Sequence, residues 1–336
     1  MFPEPKEGIT RQVGFVLLPG FSMNSFTFAM EPLRVANKVA RKPLYACPVF
    51  SINGETVEAS NGLRLEVLGD LKAAALPENI ILCGGHDIKA FPSGELLAWL
   101  RMLGRQSKVI GALYTASHYL AEARLIDDCK CAVHWEYLSA FNENFPDLET
   151  SNELFEVGNK RFTCVGGTAG LDMMLNFIAD LHGFELARMV ADQFVHERIR
   201  DRREFQYFGL SARYSIQDQR LLRVIKIMEE HLEEPLELEQ LAKVAGASRR
   251  QLERMFSKQF NKSPARYYSE LRLYRSRQLI MQTKMRIIEI ALACGFNSSA
   301  HFSRCYRNFF GCTPLSERKL PGKESAVSHP DEPGPV

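Results

Sequence analysis

The chain has 336 residues, 46% of them hydrophobic, and a formal net charge of +2. That is longer than a single core usually serves, so two domains are expected, and the apolar content is enough for both. The opening MFPEPKEGITRQ has no apolar centre, no run approaches the ~18 apolar residues of a membrane span, and the eight cysteines lie mostly in apolar runs such as IILCGG and IALACGF; together these argue against a secretory signal, a membrane anchor and a disulfide framework.

The expected setting is therefore cytoplasmic, with reduced thiols and no membrane contact. Cys129 and Cys131 with His134 are a weak metal-ligand set, because no second pair matches them, and neither a metal nor another cofactor is expected. The small net charge hides an asymmetry. Residues 211–320 hold 20 Lys+Arg against 11 Asp+Glu, residues 1–210 hold 21 against 26, and residues 241–320 alone hold 16 against 4. A basic block in a folded, aromatic-containing segment points to a polyanion, most often nucleic acid.

In chain order, VGFVLL (13–18) reads as a strand ended by Pro19-Gly20, FTFAMEPLRVANKVA as a helix and YACPVFS as a strand. Short strands follow around TVEAS and LRLEV, then NIILCGG (79–85), the helix GELLAWLRMLGRQ and KVIGAL (108–113). Strands apolar on both faces and separated by helices predict an α/β domain with a mostly parallel sheet covered on both sides. Ligands in such sheets sit beyond the carboxyl ends of the strands, which collects Phe21, Ser22, Gly84, Gly85, His86, Tyr114 and Thr115 at one rim.

Within VIGALYTASHYLA (109–121) a strand runs into a helix through small residues, the layout on which α/β enzymes display a nucleophile. The residue at the bend is Tyr114, whose phenol attacks poorly. Ser117 and His118 are adjacent in the helix, so they point apart. Farther on, FEVGNKRFTCVG (155–166) predicts a hairpin, AGLDMMLNFIADLHG a helix, and FELARMVADQFVHERIRDRR helix to about residue 203.

From residue 218 the pattern is helical and repeats itself. LAKVAGASRRQLERMFSKQFNKSP (241–264) lies over IALACGFNSSAHFSRCYRNFFGCTP (290–314): Ala242 with Ala291, Gly246 with Gly295, Ser248 with Ser298, Arg254 with Arg304, Phe256 with Tyr306, Phe260 with Phe310 and Pro264 with Pro314. Each copy reads as a short helix, a glycine turn and a serine-capped second helix, a helix-turn-helix whose second helix enters the major groove. In the first copy Leu252 and Phe256 form the buried stripe, leaving Arg250, Glu253, Arg254 and Ser257 on the other face. Guanidinium groups suit guanine, and a carboxylate can accept from cytosine N4. Between the copies a 19-residue helix, roughly 28 Å long at 1.5 Å per residue, is expected up to Gln282, with Arg272, Arg275 and Arg277 candidates for phosphate contact. Two readers on a rod of that length could occupy successive major grooves of duplex DNA.

Residues 218–318 resemble the DNA-binding domain of AraC/XylS-family bacterial transcriptional regulators, whose closing signature reads here ALACGFNSSAHFSRCYRNFFGCTP. The resemblance implies base-reading positions at Arg250, Glu253 and Arg254, and at Ser299, Ala300, Ser303 and Arg304. The first two hundred residues resemble the PfpI-like domain, related to class I glutamine amidotransferases, that one subgroup of these regulators carries. That likeness rests on VGFVLLPGFSMNSF, EPLRVAN, CGGHD, HYLAEARLID with AVHW, and FTCVGGTAGLDMMLNFIADLHG. Catalytic members place a cysteine where this chain has Tyr114, so no catalytic residue is expected.

The domains implied are a PfpI-like sensor (10–205), a linker (206–217), the DNA-binding domain (218–320) and a disordered tail (321–336). The sensor's candidate effector site comprises Phe21, Ser22, Gly84, His86, Tyr114, Thr115, His134 and Trp135, and its aromatic character suits a cationic ligand. Resemblance implies a small nitrogenous effector, an amino acid or a betaine- or carnitine-like compound. It also implies a homodimer, promoter DNA and RNA polymerase as partners, and activation of catabolic genes as the output. An amidase- or glyoxalase-like enzyme fused to a DNA-binding domain is the alternative.

Overall fold

Apolar side chains on both faces put the first strand at the centre of a sheet. In the computed structural model, which describes residues 10–72, 76–86, 94–204, 206 and 218–319, β1 (Arg11–Leu17) is buried except at Gln12. Helix α1 (Met23–Ala40) follows, begun by Ser22, whose hydroxyl accepts from the Ser25 N–H. The expected strand YACPVFS is two short ones, β2 (Tyr45–Ala46) and β3 (Val49–Ser51), both paired with β1. Pro48 between them has no N–H to continue a ladder. Asn37 of α1 docks β2, its amide donating to Tyr45 O (2.7 Å) and its carbonyl accepting from Tyr45 N (2.8 Å).

Strands β4 (Val57–Glu58) and β5 (Arg64–Leu65) form a small antiparallel pair; then come β6 (Asn79–Cys83), α2 (Gly94–Arg105), β7 (Val109–Leu113), a turn of 3₁₀ helix (Tyr114–Ala116) and α3 (Ser117–Glu122). Strand β8 (Cys131–Ala132), α4 (Trp135–Asn144), β9 (Thr150–Ser151), the hairpin β10 (Phe155–Val157) and β11 (Arg161–Cys164), α5 (Ala169–His182) and α6 (Phe184–Gln193) complete the first unit. The main sheet runs β10-β11-β7-β6-β1-β2, parallel except at the β10–β11 hairpin, with β3 also beside β1. Alternate strand residues serve two cores: Phe15, Leu17, Ile81 and Cys83 pack with α1, α5 and α6, whereas Val16, Ile80, Leu82 and Ile110 pack with α2, α3 and α4.

Helix does not continue to residue 203. It stops at Gln193, and Val195 takes a left-handed φ of +54°. Beyond it the chain folds back over Asp172 of α5, which is fully buried: His196 Nε2 lies 2.8 Å from Oδ1, Arg200 N donates to Oδ1 (2.8 Å) and Arg200 Nε to Oδ2 (2.7 Å). A buried carboxylate needs such partners, and meeting them overrides the helical pattern of the segment.

The chain divides into two units after Gln206; residues 207–217 of the expected linker and the tail 321–336 lie outside the described residues. The second unit is helical: α7 (Gln219–Glu230), α8 (Leu238–Val244), α9 (Arg249–Phe260), α10 (Pro264–Gln282), α11 (Ile287–Ala293), α12 (Ser299–Phe310) and α13 (Pro314–Arg318). Helix α10 is the 19-residue connector, with Pro264 in its first turn.

The two repeats solve one packing problem differently. Phe256 meets the ring of Tyr267 (centroids 5.4 Å apart) in the first, while fifty residues on Tyr306 donates its hydroxyl to Glu317. Glu317 is also paired with Arg277 (2.6 Å), whose guanidinium stacks on Phe310. Arg272 donates to the Cys294 and Gly295 carbonyls (2.7 and 2.6 Å) and lies over the Phe296 ring. These two arginines of α10 thus hold the second repeat together instead of facing phosphates, because the helix is buried on several sides and leaves carbonyls and a carboxylate to satisfy. Arg275 is half-buried.

Candidate functional site

Strand β7 delivers the chain to Tyr114, whose φ of +60° is left-handed. Such a backbone costs on the order of 1–3 kcal/mol for a non-glycine residue and persists only where its surroundings enforce it. The strained strand-to-helix elbow is therefore present, with a phenol on it. Tyr114 is 6% exposed. Its hydroxyl lies 2.9 Å from His86 Nδ1 and donates to Tyr137 Oη at 3.3 Å, and Tyr137 donates to the His86 carbonyl at 3.2 Å. Burial, reinforced by Tyr137, pushes the Tyr114 phenol far above the ordinary tyrosine range. The phenol is therefore held protonated and hydrogen-bonded.

The ring edges of His134 and Tyr137 close around it, with centroids 5.0 and 5.3 Å from Tyr114, and Trp135 lies beside His134 at 5.3 Å. His134 opens α4, its Nδ1 accepting from the Glu136 N–H at 3.4 Å. Burial, and then the neighbouring His86, lower its pKa to about 4, so the imidazole is neutral at neutral pH. Burial also raises the carboxyl of Glu136, partly offset by His86. The cluster is thus a set of aromatic and imidazole rings beside the half-buried carboxyl of Glu136.

Of the remaining rim residues, Gly84 accepts from the Ser22 N–H (2.9 Å), and Thr115 Oγ1 donates to the Gly85 carbonyl (2.5 Å). These groups tie the ends of β1, β6 and β7 together. The backbone of Phe21 bridges Gly85 at the rim, and its side chain is fully buried, edge-on to Phe26. Ser117 Oγ donates to the Tyr114 carbonyl (3.2 Å), and His118 packs on Phe145. Tyr137, Gln206 and Glu136 escaped sequence reading. Tyr137 stands three residues after His134 on the same helix, so the HWEY spacing could have shown it. Gln206 has no local signal: its side chain accepts from the Trp135 N–H (2.9 Å) and donates to the carbonyls of Val133 (2.8 Å) and Glu153 (3.3 Å).

In the second unit, α9 begins with a reciprocal capping box: Gln251 N–H to Ser248 Oγ at 3.3 Å, and Ser248 N–H to Gln251 Oε1 at 2.8 Å. This fixes the helix so that Leu252 and Phe256 are buried and Arg250 and Arg254 exposed. Among the described residues neither arginine has a hydrogen-bonding or ionic partner, and the same holds for the exposed Arg304 on α12. Arg249 differs, bonded to Glu239 (3.1 Å) and to Glu253 (3.3 Å). Glu253 is half-buried and held by that contact, whereas Ala300 is exposed and Ser299 and Ser303 half-buried. Exposed guanidiniums without a protein partner are available to an anion, and two helices that present them in one basic unit suit a nucleic-acid duplex.

These two features fit a helix-turn-helix regulator that carries a DJ-1/PfpI-like domain, and comparison with known proteins agrees. Residues 241–319 match the family described as a helix-turn-helix domain. The chain is 42% identical over 315 residues to the HTH-type transcriptional regulator GbdR of Pseudomonas aeruginosa, covering 94% of this chain and 86% of that protein. An AraC family transcriptional regulator from Pseudomonas putida, known by crystal structure, covers 55% of this chain and 99% of its own, with 26% identity and a TM-score of 0.51. A ThiJ/PfpI family protein from Pseudomonas syringae shares the fold at 18% identity, covering 73% of this chain and 98% of its own with a TM-score of 0.51. The chain belongs to the AraC family of HTH-type transcriptional regulators, in the group with a DJ-1/PfpI-like domain. Among the described residues no helix is long and apolar enough to cross a membrane.

Proposed function

We propose that this regulator is an activator of catabolic genes, controlled by a small nitrogenous metabolite that binds a non-catalytic elbow cleft in residues 10–205. The observation that carries this reading is Tyr114: a strained elbow is kept, yet its side chain is a protonated phenol bonded to His86 and Tyr137. The rings of Tyr114, His134, Trp135 and Tyr137 with the carboxylate of Glu136 suit an amino acid or a methylated amine. Residues 218–320 would read promoter DNA, with Arg250, Glu253 and Arg254 in one major groove and Ser299, Ala300, Ser303 and Arg304 in the next. A homodimer formed through the sensor domain would contact RNA polymerase as an activator, within the cytoplasm.

Ligand binding can control DNA engagement only through unequal affinity for two states of the protein. Gln206 supports a route, since the residue that leads out of the sensor unit grips the backbone on both sides of His134. The test is a melting-temperature panel of amino acids, glycine betaine, choline and carnitine. A native-state ligand stabilises by mass action, by about 2.7 kcal/mol at a hundredfold excess over Kd, and so raises the midpoint. A shift that Trp135→Ala removes is expected. No shift from any compound, or turnover of an amide substrate by the wild type, contradicts the reading.

A further inference from the structure

Residues 195–204 and 206, which lead from α6 to the end of the first unit, form neither helix nor strand, and none of them is fully buried. The segment opens at Val195, a β-branched residue held at a φ of +54° and 88% exposed, a backbone that persists only where neighbours enforce it. Ile199 packs on the core, and the rest of the hold is polar. It comes at two places. At the first, His196 and Arg200 meet the buried Asp172, Arg200 Nη2 donates to Thr168 Oγ1 (2.8 Å), and Asn176 Nδ2 donates to the Arg200 carbonyl (3.1 Å). At the second, the Leu154 N–H donates to the Arg202 carbonyl (3.1 Å), and the Gln206 N–H to the Asn152 carbonyl (3.2 Å). There the Gln206 side chain also takes the Trp135 N–H and donates to the carbonyls of Val133 and Glu153.

The two holds end on different walls of the elbow cleft. Thr168 stands two residues after Gly166, where a Cβ would lie 3.0 Å from the Cβ of Tyr114, so the first hold ends beside the elbow. Val133 and Trp135 bracket His134, whose ring faces Tyr114 at 5.0 Å, so the second ends at the start of α4. A segment bonded to both walls must follow any change in the distance between them, and one without a core of its own does so at small cost. The first unit ends at Gln206, which therefore sets the point where the chain leaves it. We propose that this segment is a strap coupling the cleft to DNA binding, with Gln206 as its positioning residue. The spacing of the walls decides whether Gln206 stays on Val133, Trp135 and Glu153, and so where the chain departs. The inference rests on the reading that a nitrogenous metabolite occupies the cleft. Val195 is the hinge, and Asp172 is the fixed end, because it cannot release Arg200 without leaving a buried charge unpaired. Gln206 is the end that yields, since its amide is neutral and half-buried and can exchange these partners for water.

The experiment uses full-length protein, a duplex that it selects from a random pool, and as probes the amino acids, glycine betaine, choline and carnitine. Two quantities are read for each variant: the melting shift, and the ratio of DNA affinities with and without the probe that shifts the wild type most. The wild type should show a shift and a ratio of at least about fivefold, the lower end of ordinary allosteric coupling. Gln206→Ala should keep the shift while its ratio falls below about twofold. Gln206→Glu, equal in size but turning an oxygen toward the carbonyls of Val133 and Glu153, should do the same. Arg198→Ala, which breaks an exposed pair with Glu204 within the segment, should keep both. A wild type with no melting shift, or with a shift and no change in DNA affinity, removes the metabolite reading and the inference with it. Where the wild type shows both, three results overturn the inference alone. They are a wild-type ratio in Gln206→Ala, loss of the melting shift itself in that variant, which would place Gln206 in ligand binding, and an equal loss of the ratio in Arg198→Ala.

Discussion

Tyr114 carries the difference between this domain and an enzyme, and its bonds say what its removal should do. Tyr114→Phe deletes one hydroxyl but leaves His86 Nδ1 and Tyr137 Oη within 3.2 Å of each other, so the loss should be about 1 kcal/mol, measured by chemical denaturation. His134 sets a pH dependence. Its folded pKa, about 4, lies below the ordinary histidine value of about 6.5, so between these values the unfolded chain binds a proton that the folded protein refuses, and stability rises with pH across that window. Moving from pH 7 to pH 5 should therefore cost about 2 kcal/mol, a slope that His134→Gln should flatten. Asp172 is fully buried and bonded to Arg200 and His196, so Asp172→Asn, which strands the arginine, should lower stability by about 3–5 kcal/mol at unchanged denaturant m-value. A loss under 1 kcal/mol would show that the segment 195–204 is not anchored there.

At the level of elements, the two repeats allow a matched comparison. Gly246 and Gly295 both adopt left-handed φ, +59° and +71°. A Cβ at Gly246 meets nothing within 4 Å, whereas one at Gly295 would sit 2.7 Å from Leu232 O and 2.8 Å from Glu233 O. Gly246→Ala should thus cost only the backbone strain, about 1–2 kcal/mol, and Gly295→Ala clearly more, since backbone must move. Equal costs, read from urea midpoints, would mean that the loop at 232–233 does not press on the second turn. These turns, the capping box at Ser248 and the connector from Pro264 to Gln282 were legible in the sequence because each is a local pattern. The β-run and helix alternation likewise exposed the mostly parallel sheet. What stayed hidden depends on contacts between distant residues. The break after Gln193 answers Asp172, the inward turn of Arg272 and Arg277 answers Cys294, Gly295 and Glu317, and the side chain of Phe21 turns into the core against Phe26 while its backbone bridges Gly85 at the rim.

For the whole molecule, the family implies DNA binding, and the geometry adds which arginines stand exposed without a partner among the described residues. Arg254→Ala or Arg304→Ala should each cost about 1–3 kcal/mol at one base position and less elsewhere. A uniform loss on all sequences would make that arginine a phosphate contact. The central claim, that α9 and α12 are two readers on one connecting helix, is tested most directly by hydroxyl-radical footprinting on a duplex that the full-length protein selects from a random pool. The account predicts two protected patches on one face of the DNA, about one helical turn apart, with Arg254→Ala weakening one and Arg304→Ala the other. A single patch that neither substitution changes would contradict it.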